Sequence, residues 1–407
     1  MKYYIIAGEA SGDLHGSNLM KGLYAEDPQA DVRFWGGPLM DAVYHANQKE
    51  GEGLVVDYNE GAVMGFMEVF SMWKKFFQRY KMCREDILEW NPDVVILIDY
   101  PGFNFRIASF AHLRGFKVFY YIAPKVWASR ESRIAKLKAH VDKLYIIFPF
   151  EVDYFTRKGV PFEYCGNPLM DAILESDAVK EDVAVFLNRN GIPEKPYIAL
   201  LAGSRNGEVS TMMPTFMEFA ARMREIPAYR EYQFILAAPP SRRKADYASW
   251  LEGRPWLHVV ENQTYSVMRH ARAAVINSGT ASLEAAILGV PQVVGYKTSP
   301  ITYLIGRNIL KIKYISLANL IIDKPAFKEY LQEYFTSGNL VREVRRILED
   351  ERYRQGMIAD YDAIREQLGG TGASRSVAKA MIRDIKGLLY SPKGLNSPAL
   401  LSPGLCR

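Results

Sequence analysis

Titratable and hydroxyl-bearing side chains crowd one short stretch, Gly8-Glu9-Ala10-Ser11-Gly12-Asp13-Leu14-His15-Gly16, between an apolar run ending at Ala7 and a helical pattern that continues through Leu23. Glycines at 8, 12 and 16 let the backbone approach a substrate closely, and Ser11 or Asp13 can cap the helix that follows. Their four-residue spacing is not the dinucleotide fingerprint, so a nicotinamide-type cofactor is not indicated. A capped strand-to-helix turn without a ligand is the plainer reading of such a stretch. Glu9, Asp13 and His15 standing together argue against it.

A further carboxylate, Asp99, closes the apolar run Asp93–Ile98 ahead of Tyr100-Pro101-Gly102-Phe103-Asn104. At the carboxyl end of a parallel strand it is a candidate general base. That role requires a raised pKa or tight bonding to a substrate hydroxyl, because an ordinary aspartate is a weak base at neutral pH. A turn or helix-cap aspartate is the alternative. Farther on, Ala202-Gly203-Ser204-Arg205 ends another apolar run, and its guanidinium can pair bidentately with a phosphate. Ser278-Gly279-Thr280-Ala281-Ser282-Leu283-Glu284 then leads from strand to helix. The backbone amides there would attract a diphosphate, with Glu284 in reach of a ribose diol. With Gly289-Val290-Pro291 and one more apolar run behind it, this reads as a nucleotide-sugar site. The histidines are scattered and no carboxylates cluster, so neither a metal nor a cofactor is expected.

These residues need strands to hold them. Apolar runs at 30–37, 93–99, 117–122 and 143–148 alternate with amphipathic segments, and the pattern restarts at 197–202, 233–238, 258–260, 273–276 and 292–296. Near-continuous apolar strands separated by helices predict parallel sheets covered on both faces. The fold class is therefore α/β, two Rossmann-like domains facing across a cleft. The domain boundaries fall at 1–168 for the first domain and 169–357 for the second; helices over 358–390 cross back to the first, and 391–407 is a flexible tail.

At 407 residues the chain suits two such domains, and 49% hydrophobic with 24% charged residues is globular. A net charge of +5 is too mild to argue for nucleic acid, and would suit an anionic membrane surface or a phosphorylated substrate. Cys83, Cys165 and Cys406 read as three isolated thiols of a reducing compartment. With no signal-like or membrane-spanning run, the expected location is cytoplasmic. From Phe66 to Tyr80, Phe66, Val69, Phe70, Trp73, Phe76, Phe77 and Tyr80 follow one helical face, with Lys74, Lys75 and Arg79 elsewhere. Such a helix either packs in a core or presents an acyl-binding or membrane-facing surface.

Taken with Gly36-Gly37-Pro38-Leu39-Met40, Met64-Gly65-Phe66-Met67-Glu68-Val69, Pro124-Lys125-Val126-Trp127-Ala128, Tyr164-Cys165-Gly166-Asn167-Pro168-Leu169 and Ser316-Leu317-Ala318-Asn319-Leu320, these motifs make the chain resemble the lipid-A-disaccharide synthases from its first strand to about residue 385. Those are inverting glycosyltransferases of the GT-B fold. The resemblance implies transfer of 2,3-diacylglucosamine from its UDP ester to 2,3-diacylglucosamine 1-phosphate, giving a β-1,6-linked disaccharide and UDP. By it, Asp99 is the base. Glu9, Ser11, Gly12, His15, Phe66, Glu68 and Trp73 shape the acceptor and acyl end. Gly203, Ser204, Arg205, Ser278, Gly279, Thr280, Ser282, Glu284 and Asn319 hold UDP, and Gln332 closes the site. The enzyme would sit peripherally on the inner membrane, compatible with a homodimer. Ala202 and Phe327-Lys328-Glu329-Tyr330-Leu331-Gln332 depart from the family pattern, the latter bearing on Gln332, and the tail after Tyr390 matches nothing in it. An enzyme like the UDP-N-acetylglucosamine 2-epimerases and a non-catalytic lipid-binding scaffold are the competing readings.

Overall fold

The computed structural model describes residues 1–47, 51–58, 69–128, 131–298, 313–390 and 404–405. It divides into two units, one of residues 1–172 with 370–407 and the other of 173–369.

The first unit is built on a parallel sheet. Its strands are β1 (Lys2–Ala7), β2 (Asp31–Gly36), β3 (Leu54–Asp57), β4 (Val94–Ile98), β5 (Lys117–Tyr121), β6 (Lys143–Ile146) and β7 (Phe162–Tyr164), in the order β7-β6-β5-β4-β1-β2-β3. Every residue of β4 is buried because helices cover both faces, which is why the strand reads Val-Val-Ile-Leu-Ile without polar alternation. Each such side chain contributes about 1.5–3 kcal/mol of burial. The helices that matter below are α1 (Ala10–Glu26), α2 (Pro38–Asn47), α3 (Val69–Trp90) and α4 (Pro101–Leu113).

From β1 the chain winds outward to β2 and β3; from β4 it winds the other way, to β5, β6 and β7. The order thus reverses between β1 and β4, which pair with Ala7 opposite Ile98. Their following loops, at Gly8-Glu9 and Asp99-Tyr100, emerge side by side at the switch point, where open parallel sheets take ligands.

Residues 404–405, expected in a free tail, pair with β7 as an eighth strand. An open strand edge offers unpaired amides and carbonyls to any extended segment that reaches it. The remaining tail positions, 391–403 and 406–407, lie outside the described residues. Cys165, just past β7, is disulfide-bonded, which corrects the expectation of three isolated thiols; Cys83 is free and buried. Spacing along a chain does not reveal which cysteines a fold brings together.

The helix Ala373–Tyr390 returns to the first unit and packs along α1, where Gly22 leaves room for Ala378. Asp171 accepts from the Gly372 and Ser374 amides at its start. Farther along, Asp384 takes the Tyr145 hydroxyl at 2.9 Å beside the buried Lys143–Glu163 pair. The preceding helix, Glu351–Leu368, falls in the second unit, and the first unit resumes at Gly370. Gly369, at φ +85°, breaks the helix there.

The second unit repeats the plan with β8 (Tyr197–Leu201), β9 (Gln233–Ala238), β10 (Leu257–Glu261), β11 (Ala273–Asn277), β12 (Gln292–Tyr296) and β13 (Glu329–Leu331), ordered β10-β9-β8-β11-β12-β13. Its order reverses between β8 and β11, which pair with Leu201 opposite Ile276. The loops Ala202–Arg205 and Ser278–Thr280 therefore share one edge.

Candidate active site

In the first unit the switch point is strained. Asp99 and Tyr100 hold φ of +42° and +46°, and Ile122, at the end of the neighbouring β5, holds +63°. A left-handed β-branched residue is costly, and such outliers cluster at functional sites. Here hydrogen bonds over-determine the turn. The Asp99 amide donates to Tyr121 O at 3.1 Å. The Asp99 carbonyl accepts from the Tyr120 hydroxyl at 2.5 Å and from Asn104 Nδ2 at 2.9 Å.

The Asp99 carboxyl is raised above its ordinary value, chiefly by burial; the Lys125 ammonium opposes this, the Glu9 carboxylate adds to it, and the Tyr100 amide opposes it. A partly accessible carboxylate biased toward holding a proton is suited to accept one from a hydroxyl. Glu9 and Ser11 are exposed at the same edge.

The neighbouring expectations need correction. The space beside Gly8 is filled by the Tyr100 ring, that beside Gly12 by Ala7, and that beside Gly16 by Met40 Sδ. These glycines admit the protein's own side chains, and Gly12 is buried. Asp13 does not cap its own helix. Its carboxylate accepts from the amides of Gly37, Leu39 and Met40 at 3.0–3.1 Å, capping α2. His15 is buried, its pKa pushed down to about 4 by burial, so it is neutral and set behind the surface. Phe66 and Glu68, and the side chain of Trp73, lie outside the described residues. On the rest of α3, Phe76 and Tyr80 pack edge-on against Phe103, whereas Phe77, Lys74 and Lys75 are exposed.

Sequence reasoning missed Glu151 and Lys125 as site-forming residues. Glu151 is 1% exposed and accepts from the Trp127 indole at 3.1 Å and from the Ile147 and Phe148 amides. Burial pushes its pKa up to about 7 against the pull of those donors and of Lys125. It thereby anchors the 124–128 loop that carries Lys125. The signal was present in Pro124-Lys125-Val126-Trp127-Ala128, whose chemistry spacing alone does not reveal.

In the second unit Gly203 sits at φ +101°, against Asn277 Nδ2 and the Glu208 carboxylate. Glu208 accepts from the Ser204 and Arg205 amides at 2.9 and 3.2 Å, so a carboxylate already rests on an anion-binding turn. Arg242, also missed, is 8% exposed and braces that turn through Ser204 O and Asn206 Oδ1. The Arg205 side chain projects into solvent. Gly279 and Thr280 are exposed, and Ser278 is half-buried. Burial pushes Glu284 up to about 7, and its charge acts on Tyr265.

Ser282 and Asn319 are fully buried. Ser282 donates to Gly279 O, while Asn319 bonds Phe327 O, Glu329 and the Ala326 amide. Both shape loops from behind. Gln332, the residue after β13, holds φ +48°, its Nε2 buried without a partner. Among the described residues no His, Cys, Asp or Glu group could hold a metal ion, and no helix is long and apolar enough to cross a membrane.

Two parallel sheets with loops converging at a switch point in each define a protein of the GT-B class, the fold of sugar-nucleotide glycosyltransferases and epimerases. Solved structures agree. A UDP-GlcNAc 2-epimerase from Neisseria meningitidis, solved with UDP-GlcNAc, aligns with a TM-score of 0.66 over 94% of this chain and 100% of its own, at 14% identity. A kitacinnamycin glycotransferase aligns at 0.57 over 94% of this chain and 98% of its own, at 16% identity. At such identity the likeness concerns the fold alone. The model of the LpxB lipid-A-disaccharide synthetase family matches residues 3–382. Lipid-A-disaccharide synthases of Geobacter metallireducens and Nitrosococcus oceani are 37% and 35% identical, over 92% and 94% of this chain and 94% and 96% of theirs. The chain belongs to the lipid-A-disaccharide synthase family and has that family's glycosyltransferase function in lipid A biosynthesis, with lipid A precursors as substrates.

Proposed function

We propose that the roles in this transfer are divided between the two switch points. In the first unit Asp99 accepts the proton of the acceptor's 6-hydroxyl as that oxygen forms its bond to the donor's anomeric carbon. The bond from that carbon to the UDP oxygen breaks, UDP leaves with the electron pair, and the configuration inverts. Glu9 and Lys125 tune the charge of Asp99, and Ser11 contributes to the acceptor face. In the second unit Gly203, Ser204, Arg205, Ser278, Gly279 and Thr280 hold the diphosphate, and Glu284 the ribose. Ser282, Asn319 and Gln332 support those loops. Arg205 stabilises the charge that develops on the leaving diphosphate.

The observation that carries this reading is Asp99 itself, fixed in a strained turn at the β1/β4 reversal with its pKa raised. The test is turnover of UDP-2,3-diacylglucosamine with 2,3-diacylglucosamine 1-phosphate, the product linkage assigned by NMR. A β-1,6 disaccharide formed by the wild type and lost in Asp99→Asn supports the assignment. An epimerised sugar released without acceptor defeats it.

We also infer a cytoplasmic protein peripheral to the inner membrane, a homodimer being compatible, with the exposed Lys74, Lys75 and Phe77 of α3 as contacts. Flotation with vesicles tests this, and recovery unchanged by Phe77→Ser would discard α3 as the contact.

A further inference from the structure

Three arginines surround one cavity of the first unit, well along α3 and α4 from Asp99. The cavity, about 390 Å³, is lined by Tyr80 and Arg84 of α3 and by Arg106, Phe110, Leu113 and Arg114 of α4 and its end. Among the described residues no carboxylate lines it, and none of the three guanidiniums has an ion-pair partner.

Aromatic faces hold these groups while leaving most of their N–H donors free. Arg84 lies over Phe110 at 4.6 Å and Tyr80 at 5.4 Å, with its Nε buried and unpartnered. Arg114 lies over the same Phe110 ring at 5.9 Å. Arg106 donates to Gly102 O at 2.7 Å and covers Phe76 at 4.9 Å. Converging guanidinium forks without a counter-charge match the tetrahedral oxygens of a phosphate.

The rim identifies the source of that phosphate. Leu113 is 76% exposed, and Phe77, one turn from Tyr80, is 55% exposed. A soluble anion has no use for apolar side chains in water, whereas a bilayer interface takes both apolar tips and cations. We propose that this cavity binds the phosphate of an anionic phospholipid headgroup, with Leu113 meeting the acyl boundary. The proposal rests on the reading that the first unit works at a membrane surface.

The experiment compares flotation of the full-length protein with vesicles of phosphatidylcholine alone and of phosphatidylcholine mixed equally with phosphatidylglycerol. Replacing Arg84, Arg106 and Arg114 together by Gln should weaken binding to the anionic vesicles by about a hundredfold. Binding to neutral vesicles and turnover on detergent-dispersed substrates should stay as in the wild type. Equal loss on both vesicle types, or no loss on the anionic ones, overturns the pocket while leaving the membrane reading in place. A wild type that floats with neither kind defeats both. Should the triple variant misfold, Arg114→Gln alone, at an exposed position, serves. Wild-type binding should then fall with added salt more steeply than that of the variant, and equal salt dependence overturns the proposal.

Discussion

The Tyr120 hydroxyl donates to the main-chain carbonyl of Asp99 at 2.5 Å, tying β5 to the end of β4. Asn104 donates to the same carbonyl at 2.9 Å. A carboxylate in a left-handed turn would otherwise relax, so these donors maintain the direction of the Asp99 side chain. Tyr120→Phe removes one of them while preserving the ring. Its kcat should fall roughly five- to tenfold with KM for the donor unchanged, as steady-state kinetics would show.

Asp99→Asn keeps the size and the turn and removes the base. Turnover should drop by about 10²–10⁴-fold, while the Kd for UDP, measured by calorimetry, stays at the wild-type value. Activity near the wild-type level would assign Asp99 to the turn alone.

Much of this edge is legible in the residues. Asp99 follows an uninterrupted Val-Val-Ile-Leu-Ile strand, and Arg205 and Ser278 follow strands of the same kind, so their placement at carboxyl ends could be read directly. What escapes is pairing at a distance. Asp13 looks like a cap for the helix it begins, yet it binds amides at 37–40, because only the fold places the start of α2 over α1. Asn319 looks like a ligand residue by motif, but a polar side chain that bridges three loop groups is equally distinctive and lies inside. The strands β3, β7 and β13, of three or four residues, are too short for periodicity to mark.

Gly8→Ala tests the close approach of Tyr100. A methyl group there overlaps the ring, which is stacked on Phe103 at 5.7 Å and cannot simply move aside. Chemical denaturation should show a loss of about 1–3 kcal/mol, and activity should fall with the displaced Tyr100-Asp99 turn.

Gly203→Ala should act in the other unit. At φ +101° an alanine is strained, and its methyl would press on Glu208 and Asn277. UDP affinity should weaken by roughly tenfold or more as the turn held by Glu208 shifts and carries the exposed Arg205 guanidinium with it, with an accompanying stability loss of about 1–2 kcal/mol. Titration with UDP and a denaturation curve would measure the two effects. Unchanged affinity would remove this turn from the nucleotide site.

Glu151 gives a pH signature. Burial raises it to about 7 in the folded protein, from an ordinary value of 4.5. Below pH 4.5 the carboxyl is protonated whether the chain is folded or not, and its contribution is fully present. As the pH rises the unfolded chain releases the proton first, and stability is lost until the folded form also ionises near pH 7. This loss amounts to about 3 kcal/mol between the two values. Glu151→Gln cannot titrate. Its stability relative to the wild type should therefore improve by that amount between pH 4.5 and 8, whatever constant offset the altered Trp127 contact introduces. Urea unfolding of both proteins across this range would show it; parallel curves would mean that Glu151 ionises as easily in the folded chain as in the unfolded one.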